Sequence, residues 1–526
     1  MFSSFVMRPV VAALTVSLSM ALLCAAPAWA ADGAAAKPVL PHTAAQWRQA
    51  AHDDIEEGVR LMRENHPGVY DASNPGFAAG LERARQRGLA LSTRVDGPGS
   101  YMAAIFAFNA VLRDGHALIA PQFDAGDQNV MRWPGFVTVW RQDGLYVVAS
   151  EPGGPAKGAH VLDCDGKPVK QLVEDNVFSF EGRSNEPGRW WSRARTAFLD
   201  TGNPFVKLPQ RCRFAQDGKT IEQDLHWRPE TAQSRTWWKN SYNGPTLPVG
   251  LTEPRKGLFW AAMPTFAPDA AQRDAYRAMA AQVERERRRL LDADALVIDL
   301  RDNQGGSSDW SQLFAGALWG KDRVERREGA RDAGTETWWR ASKGNTDYMT
   351  GLVLKYTEEK QFESLDWAKR NSAGLQAALA RGDKYYVEKD MAPAAAPADP
   401  RADLPGDPPP FVKPVYVIVP GQCASACLDA LDVFTLFDNT VLIGAPSSAD
   451  STYMEVRRQK LGSGLSSAII PNKMYVNRPR GNGEAYPPAI YVNDVDWSVD
   501  GFRKVVEQDL ARRARTPASA SAGEGG

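Results

Sequence analysis

The chain has 526 residues, 43% hydrophobic and 24% charged, a globular composition too long for one ordinary core, so two or three domains are expected. Lys and Arg total 62 against 63 Asp and Glu, a formal net charge of -1. That balance, with no long run of one sign, excludes a protein that holds nucleic acid by a clustered basic surface.

The chain opens "MFSSFVMRPVVAALTVSLSMALLCAAPAWAADGAAA": one Arg, an apolar stretch, then the small-x-small pattern "AWA". Residues 1–30 read as a secretory signal cut after Ala30. The mature chain is expected to be exported, periplasmic or secreted, with no stable membrane span, since no later stretch is apolar for long enough. Cys24 leaves with the signal, and Cys164, Cys212, Cys423 and Cys427 remain. Cysteines of an exported chain are expected to pair. Cys164–Cys212 with Cys423–Cys427 keeps each pair inside one predicted domain. The alternative for Cys423 and Cys427 is two small buried thiols; they bridge only if Cys423 lies in the turn rather than the helix. No histidine makes a ligand spacing with the cysteines, so no metal is expected, and no other cofactor is implied.

Residues 40–125 form a predicted N-terminal helical domain. Apolar positions recur at helical spacing in "AAQWRQAAHDDIEEGVRLMREN", in "PGFAAGLERARQRGLAL" and in "GPGSYMAAIFAFNAVLRDGHALIAPQ". The third helix ends near Gly115 and runs into an extended piece. Residues 130–235 turn β-rich: "FVTVWRQDGLYVVAS" and "RCRFAQDGKTIEQDLHW" read as hairpins with Asp-Gly turns. Between them "GAHVLDCDGKPVKQLVEDN" reads as strand, turn, short strand and helix. From about 250 to 510 strands alternate with helices, which implies an α/β layered core. An insertion at about 320–412 is charged and helical at first. It ends in "MAPAAAPADPRADLPGDPPPF", a linker that packs no core, and is expected to lie over one face. The tail at 512–526 is expected to be disordered.

Three groups carry candidate chemistry. In "VYVIVPGQCASACLDAL", Ser425 sits on a small-residue turn between a buried strand and a helix. It either caps the helix or acts as a nucleophile beside backbone N–H groups. In "LVIDLRDNQGG", Gly305 and Gly306 either permit a sharp turn or bring a backbone N–H close to a substrate carbonyl. In "LRDGHAL", His116 is the best-placed candidate base; otherwise it is a structural histidine.

These groups occur together, in the same chain order, in a family that this chain resembles: the serine peptidases that include the C-terminal processing (tail-specific) proteases and the tricorn core. "GEAYPPAIYV" is similar to the family's closing segment, "RENHPGVYD" to its tricorn-like N-terminal region and "GGPAKGAHVLDCDGKPVKQL" to its PDZ-like domain. The resemblance implies a crotonase/Clp-protease-like core of repeated ββα units and amide hydrolysis through an acyl-enzyme, with a peptide or protein as substrate. It makes Ser425 the nucleophile, and the N–H groups of Ala426 and Gly305 or Gly306 the oxyanion hole. The tail-specific branch uses a lysine downstream of the serine, but "GAPSSADSTYMEV" holds none. The tricorn-like branch uses a histidine and a glutamate, which His116 and Glu484 match. Tricorn has a serine beside its histidine where this chain has Gly115 and Ala117, so Asp114, Asp450 and Glu455 stay open as alternative acids. The alternative function is a non-catalytic protein on the same fold, binding an apolar ligand or a peptide.

Overall fold

The computed structural model describes residues 38–123, 131–388, 399 and 401–515. The signal segment, part of the Pro/Ala-rich linker and the tail beyond Arg515 lie outside these residues. The C-terminal helix Val499–Arg515 runs into the first residues of the segment expected to be disordered.

The architecture is mixed α/β with several sheets. Five-residue strands at Leu258–Ala262, Ala295–Asp299 and Val415–Val419 are buried along their whole length. Their near-continuous apolar runs suit a parallel sheet covered on both faces. They form the middle of a six-stranded sheet in the order Gly250–Arg255, Leu258–Ala262, Ala295–Asp299, Val415–Val419, Thr440–Gly444, Ile490–Tyr491. Only the first pairing is antiparallel. Successive residues of a strand face opposite ways. Phe259, Ile298 and Val417 pack with Met279, Phe314 and Leu431 from three helices, while Trp260, Val297 and Ile418 pack with Trp191, Trp497 and Phe502.

A second sheet is built from distant parts of the chain. Ser466–Val476 is its axis, paired with Leu118–Pro121, Tyr453–Lys460 and Glu336–Arg340, and the last continues to Tyr385–Glu388. The insertion therefore contributes two strands to this sheet besides the helices Lys343–Glu358 and Phe362–Arg381. The β-rich region holds the two expected hairpins, Phe136–Arg141 with Gly144–Ser150 and Arg211–Gln216 with Lys219–Asp224, in one sheet with His160–Cys164. Among the described residues no helix is long and apolar enough to cross a membrane.

Both expected cysteine pairs are joined. Cys164 and Cys212 face each other in antiparallel register across two strands, 48 residues apart in sequence. Closing a loop of that length restricts the unfolded chain. Replacing both cysteines by alanine should therefore lower the unfolding free energy by about 2–4 kcal/mol in urea titrations.

Candidate active site

The Ser425 turn is set by the buried Val415–Val419 strand, which ends at Pro420, and by the helix Ala426–Phe434 that follows. Cys423 lies in the turn, outside that helix, so the bridge to Cys427 spans Ser425. Ser425 adopts φ 54°, ψ -127°, a region that a side chain rarely visits, and its hydroxyl makes no capping bond to the helix. The capping alternative is thus disfavoured, and the hydroxyl is left for other partners. The Ser425 N–H donates to the Asp450 carboxylate.

Gly305 and Gly306 take φ 102° and 138° after the Ala295–Asp299 strand. A Cβ on Gly305 would lie 3.0 Å from the Ser425 Cβ and 2.5 Å from the Ala424 carbonyl oxygen. One on Gly306 would lie 2.1 Å from the Phe266 carbonyl, so glycine is required at both positions. Asn303 shapes the turn: its Nδ2 donates to the Met263 carbonyl at 2.9 Å and its Oδ1 accepts the Gly305 N–H at 2.8 Å. The Gly305 N–H is thereby engaged. The Ala426 N–H opens a helix and has no acceptor within it.

His116 follows the helix Pro98–Leu112, which ends in a left-handed Arg113. Asn109 clasps the turn to the next strand: its Nδ2 donates to the Ile119 carbonyl and its Oδ1 accepts the Ile119 N–H, both at 2.9 Å. The His116 N–H donates to Asp114 Oδ1 at 2.8 Å. His116 Nδ1 is buried and has no hydrogen-bond partner among the described residues.

One loop joins the two turns. Asp450 accepts the Ser425 N–H through Oδ2, and its Oδ1 lies 3.8 Å from where a Cβ on Gly115 would be. The next residue, Ser451, donates its hydroxyl to Asp114 Oδ1 at 3.0 Å. Arg183 closes the junction from the β-rich region, donating to the Ala449 carbonyl at 3.1 Å. Glu186 accepts the Ala449 N–H at 3.3 Å, and burial pushes its carboxyl up. Burial also acts to raise Asp114, but the hydrogen bond from His66 and the electrostatic pull of the His66 and His116 rings outweigh it and hold this carboxyl below its ordinary value.

The other candidate acids lie elsewhere. Glu484 is exposed on a turn whose Gly483 N–H reaches the Asp450 carbonyl at 2.9 Å, and its carboxylate accepts the Gly481 N–H at 3.0 Å. It lines a cleft of about 130 Å³ with Arg331, Arg478 and Arg480, and no hydrogen bond joins it to His116 among the described residues. Glu455 meets Tyr348 of the insertion at 3.3 Å, and burial pushes it up. Sequence spacing gives no sign of Asn109, Asn303, Arg183 or Glu186, because the bonds that matter here are to backbone groups, which no side-chain pattern records. Among the described residues no cluster of His, Cys, Asp and Glu could hold a metal ion.

Residues 262–482 match peptidase family S41. No curated protein matches the chain in sequence. Mature CPAF is similar in fold, with a TM-score of 0.59 at 13% identity over 90% of this chain and 99% of that one. CPAF complexed with lactacystin gives 0.58 at 12% identity over 89% and 99%. The photosystem II D1 C-terminal processing protease aligns over 88% and 98% at 14% identity, with a TM-score of 0.34.

Two outcomes follow from the geometry. Gly306→Ala places a methyl group against the Phe266 carbonyl and should lower the melting temperature, measured by calorimetry. The depressed Asp114 carboxyl stabilises the fold in its ionised form. Its contribution is complete above the ordinary value near ~4 and is lost as the pH falls through the lower folded-state value. In urea titrations, the stability advantage of wild type over Asp114→Asn should therefore be constant at about pH 6 and begin to shrink as the pH falls below the ordinary carboxylate value of about 4.

Proposed function

We propose, for a chain that belongs to peptidase family S41 through residues 262–482 and is a serine-type peptidase, that Ser425 attacks the scissile peptide carbonyl and His116 is its general base. The observation that carries this is the Asp450–Ser451 loop, which ties the Ser425 backbone on one side and the Asp114–His116 turn on the other. The substrate is a peptide or protein.

In the first step the Ser425 oxygen bonds to the carbonyl carbon and its proton passes to the His116 ring. The charge that develops on the carbonyl oxygen is met by the Ala426 N–H and, since the Gly305 N–H is engaged by Asn303, by the Gly306 N–H. Collapse breaks the C–N bond, and His116 returns the proton to the leaving amine. A water then attacks the acyl carbon while His116 takes its proton, releasing the carboxylic acid and the serine hydroxyl. We assign support of the imidazolium charge to Asp114 rather than Glu484. Asp114 already interacts with His116 by charge and by its N–H, whereas Glu484 is exposed and held on Gly481.

The rest of the chain fits around this chemistry. The parallel sheet is read as the crotonase/Clp-protease-like core of ββα units, and residues 130–235 as a PDZ-like domain. The exposed edge strand of the latter, Lys219–Asp224, could take a substrate tail as an added strand. Two disulfides and the signal-like first 30 residues favour an exported enzyme.

Purified mature protein, Ser425→Ala and His116→Ala, each incubated with a diverse peptide library and read by mass spectrometry, test the proposal. Wild type should cleave and Ser425→Ala should not, while His116→Ala should be slower by about 10²–10⁴-fold. Equal cleavage by wild type and Ser425→Ala, or intact peptides from all three, would overturn it.

A further inference from the structure

Asp114 touches both halves of the candidate site, yet one of its oxygens is turned to a histidine that the mechanism leaves unused. Oδ1 accepts the His116 N–H and the Ser451 hydroxyl, while Oδ2 lies 3.2 Å from His66 Nε2. Both side chains are buried, His66 at 0% and Asp114 at 4% exposure.

The His66 tautomer follows from its other nitrogen. The Gly68 N–H donates to Nδ1 at 2.9 Å, so Nδ1 presents its lone pair and the ring proton sits on Nε2, facing Asp114. The ring is clamped as well. It stacks on Phe77 with centroids 4.2 Å apart and meets Tyr453 edge-on at 4.7 Å. The backbone on either side is held by the insertion: Asn345 Nδ2 donates to the Asn65 carbonyl at 2.9 Å and the Tyr385 hydroxyl to the Pro67 carbonyl at 2.7 Å.

We propose that His66 is a positioning residue: its Nε2–H fixes the Asp114 carboxylate, and Asp114 in turn fixes the His116 turn against the Ser425 loop. This rests on the Ser425–His116 assignment. The terminal torsion of an aspartate is broad, so without a donor on Oδ2 the carboxylate is held through Oδ1 alone and gains freedom to turn. The bonds to the His116 N–H and to Ser451 turn with it. A displacement of the base by about 1 Å is enough to cost about 10²-fold in rate.

Two variants separate positioning from packing. His66→Phe keeps an aromatic ring on Phe77 but removes both nitrogens; His66→Gln restores an N–H donor at the ε position. His66→Phe should lower kcat by about 10–100-fold with KM within about twofold, and His66→Gln should recover most of the loss. A second readout needs no turnover. The chain has 6 histidines, so selective ¹⁵N-histidine labelling gives a sparse spectrum in which His116→Ala assigns the His116 ring. The His116 ring signals should move in His66→Phe and return toward wild type in His66→Gln, even if Ser425 proves not to be a nucleophile. Unmoved His116 signals in His66→Phe would overturn the proposal. So would equal losses of kcat and of urea stability in both variants, which would mark His66 as a packing residue.

Discussion

Everything at this site depends on a backbone conformation that serine does not adopt freely. At φ 54°, ψ -127°, Ser425 carries strain of order 1–3 kcal/mol that its surroundings must offset. The Ser425 carbonyl accepts the Leu428 and Asp429 N–H groups at 2.8 and 3.1 Å, while its own N–H is taken by Asp450. The bridge between Cys423 and Cys427 ties the residues on either side, and Gly305 presses against the face of the turn. The conformation separates the serine hydroxyl from the helix end it would otherwise cap. That leaves the hydroxyl of a serine at a helix N-terminus without a capping bond.

The second constraint is burial of irregular backbone. Loops normally run over the surface because their N–H groups need partners. Here Ser447, Ser448 and Asp450 are almost wholly buried. Three carboxylates from different parts of the chain supply acceptors: Asp450 for Ser425, Asp114 for His116 and Glu186 for Ala449. Two of them also meet a group that limits the cost of burial, Asp114 through His66 and Glu186 through Arg183. The helix after Ser425 is anchored in the same way. Asp429 in its first turn and Asp432 accept Arg478 and Arg480, and these charges overcome the burial that would raise Asp429. The strained turn is thus held at one end by the Asp450 carboxylate and at the other by the Asp429 and Asp432 ion pairs.

Local chemistry was legible in the sequence, and tertiary chemistry was not. Asp-Gly turns between alternating runs mark both hairpins of the β-rich region, and apolar runs ending in Pro-Gly or Gly-Gly mark the strands that carry Ser425 and Gly305. The strands Tyr453–Lys460 and Ser466–Val476 escaped because Arg457, Asn472 and Lys473 are buried within them, which breaks the expected alternation. The insertion read as helical because its strands Glu336–Arg340 and Tyr385–Glu388 are short and find partners only across the sheet. His116 could be picked out by its Asp-Gly neighbours. The role of Asp450 could not, since it binds a backbone N–H that no side-chain pattern records.

Pairing across the second sheet explains how residues more than half the chain apart come to share a site. Leu118–Pro121 and Tyr453–Lys460 both run antiparallel to Ser466–Val476, from opposite edges, so they leave their turns in the same direction. The turns that precede them, one bearing Asp114 and His116 and the other Asp450 and Ser451, therefore lie at one end of the sheet, where Ser451 reaches Asp114. Register along Ser466–Val476 sets the distance between them. A slip of one residue would turn Ile119 and Ile470 out of the core they share with Tyr101 and Phe108, so burial enforces the pairing that brings the two turns together. The His116 turn is placed by the same hydrophobic contacts that hold the N-terminal helices to the core, which is how a histidine so far from Ser425 in sequence comes to lie beside the loop that binds the Ser425 backbone.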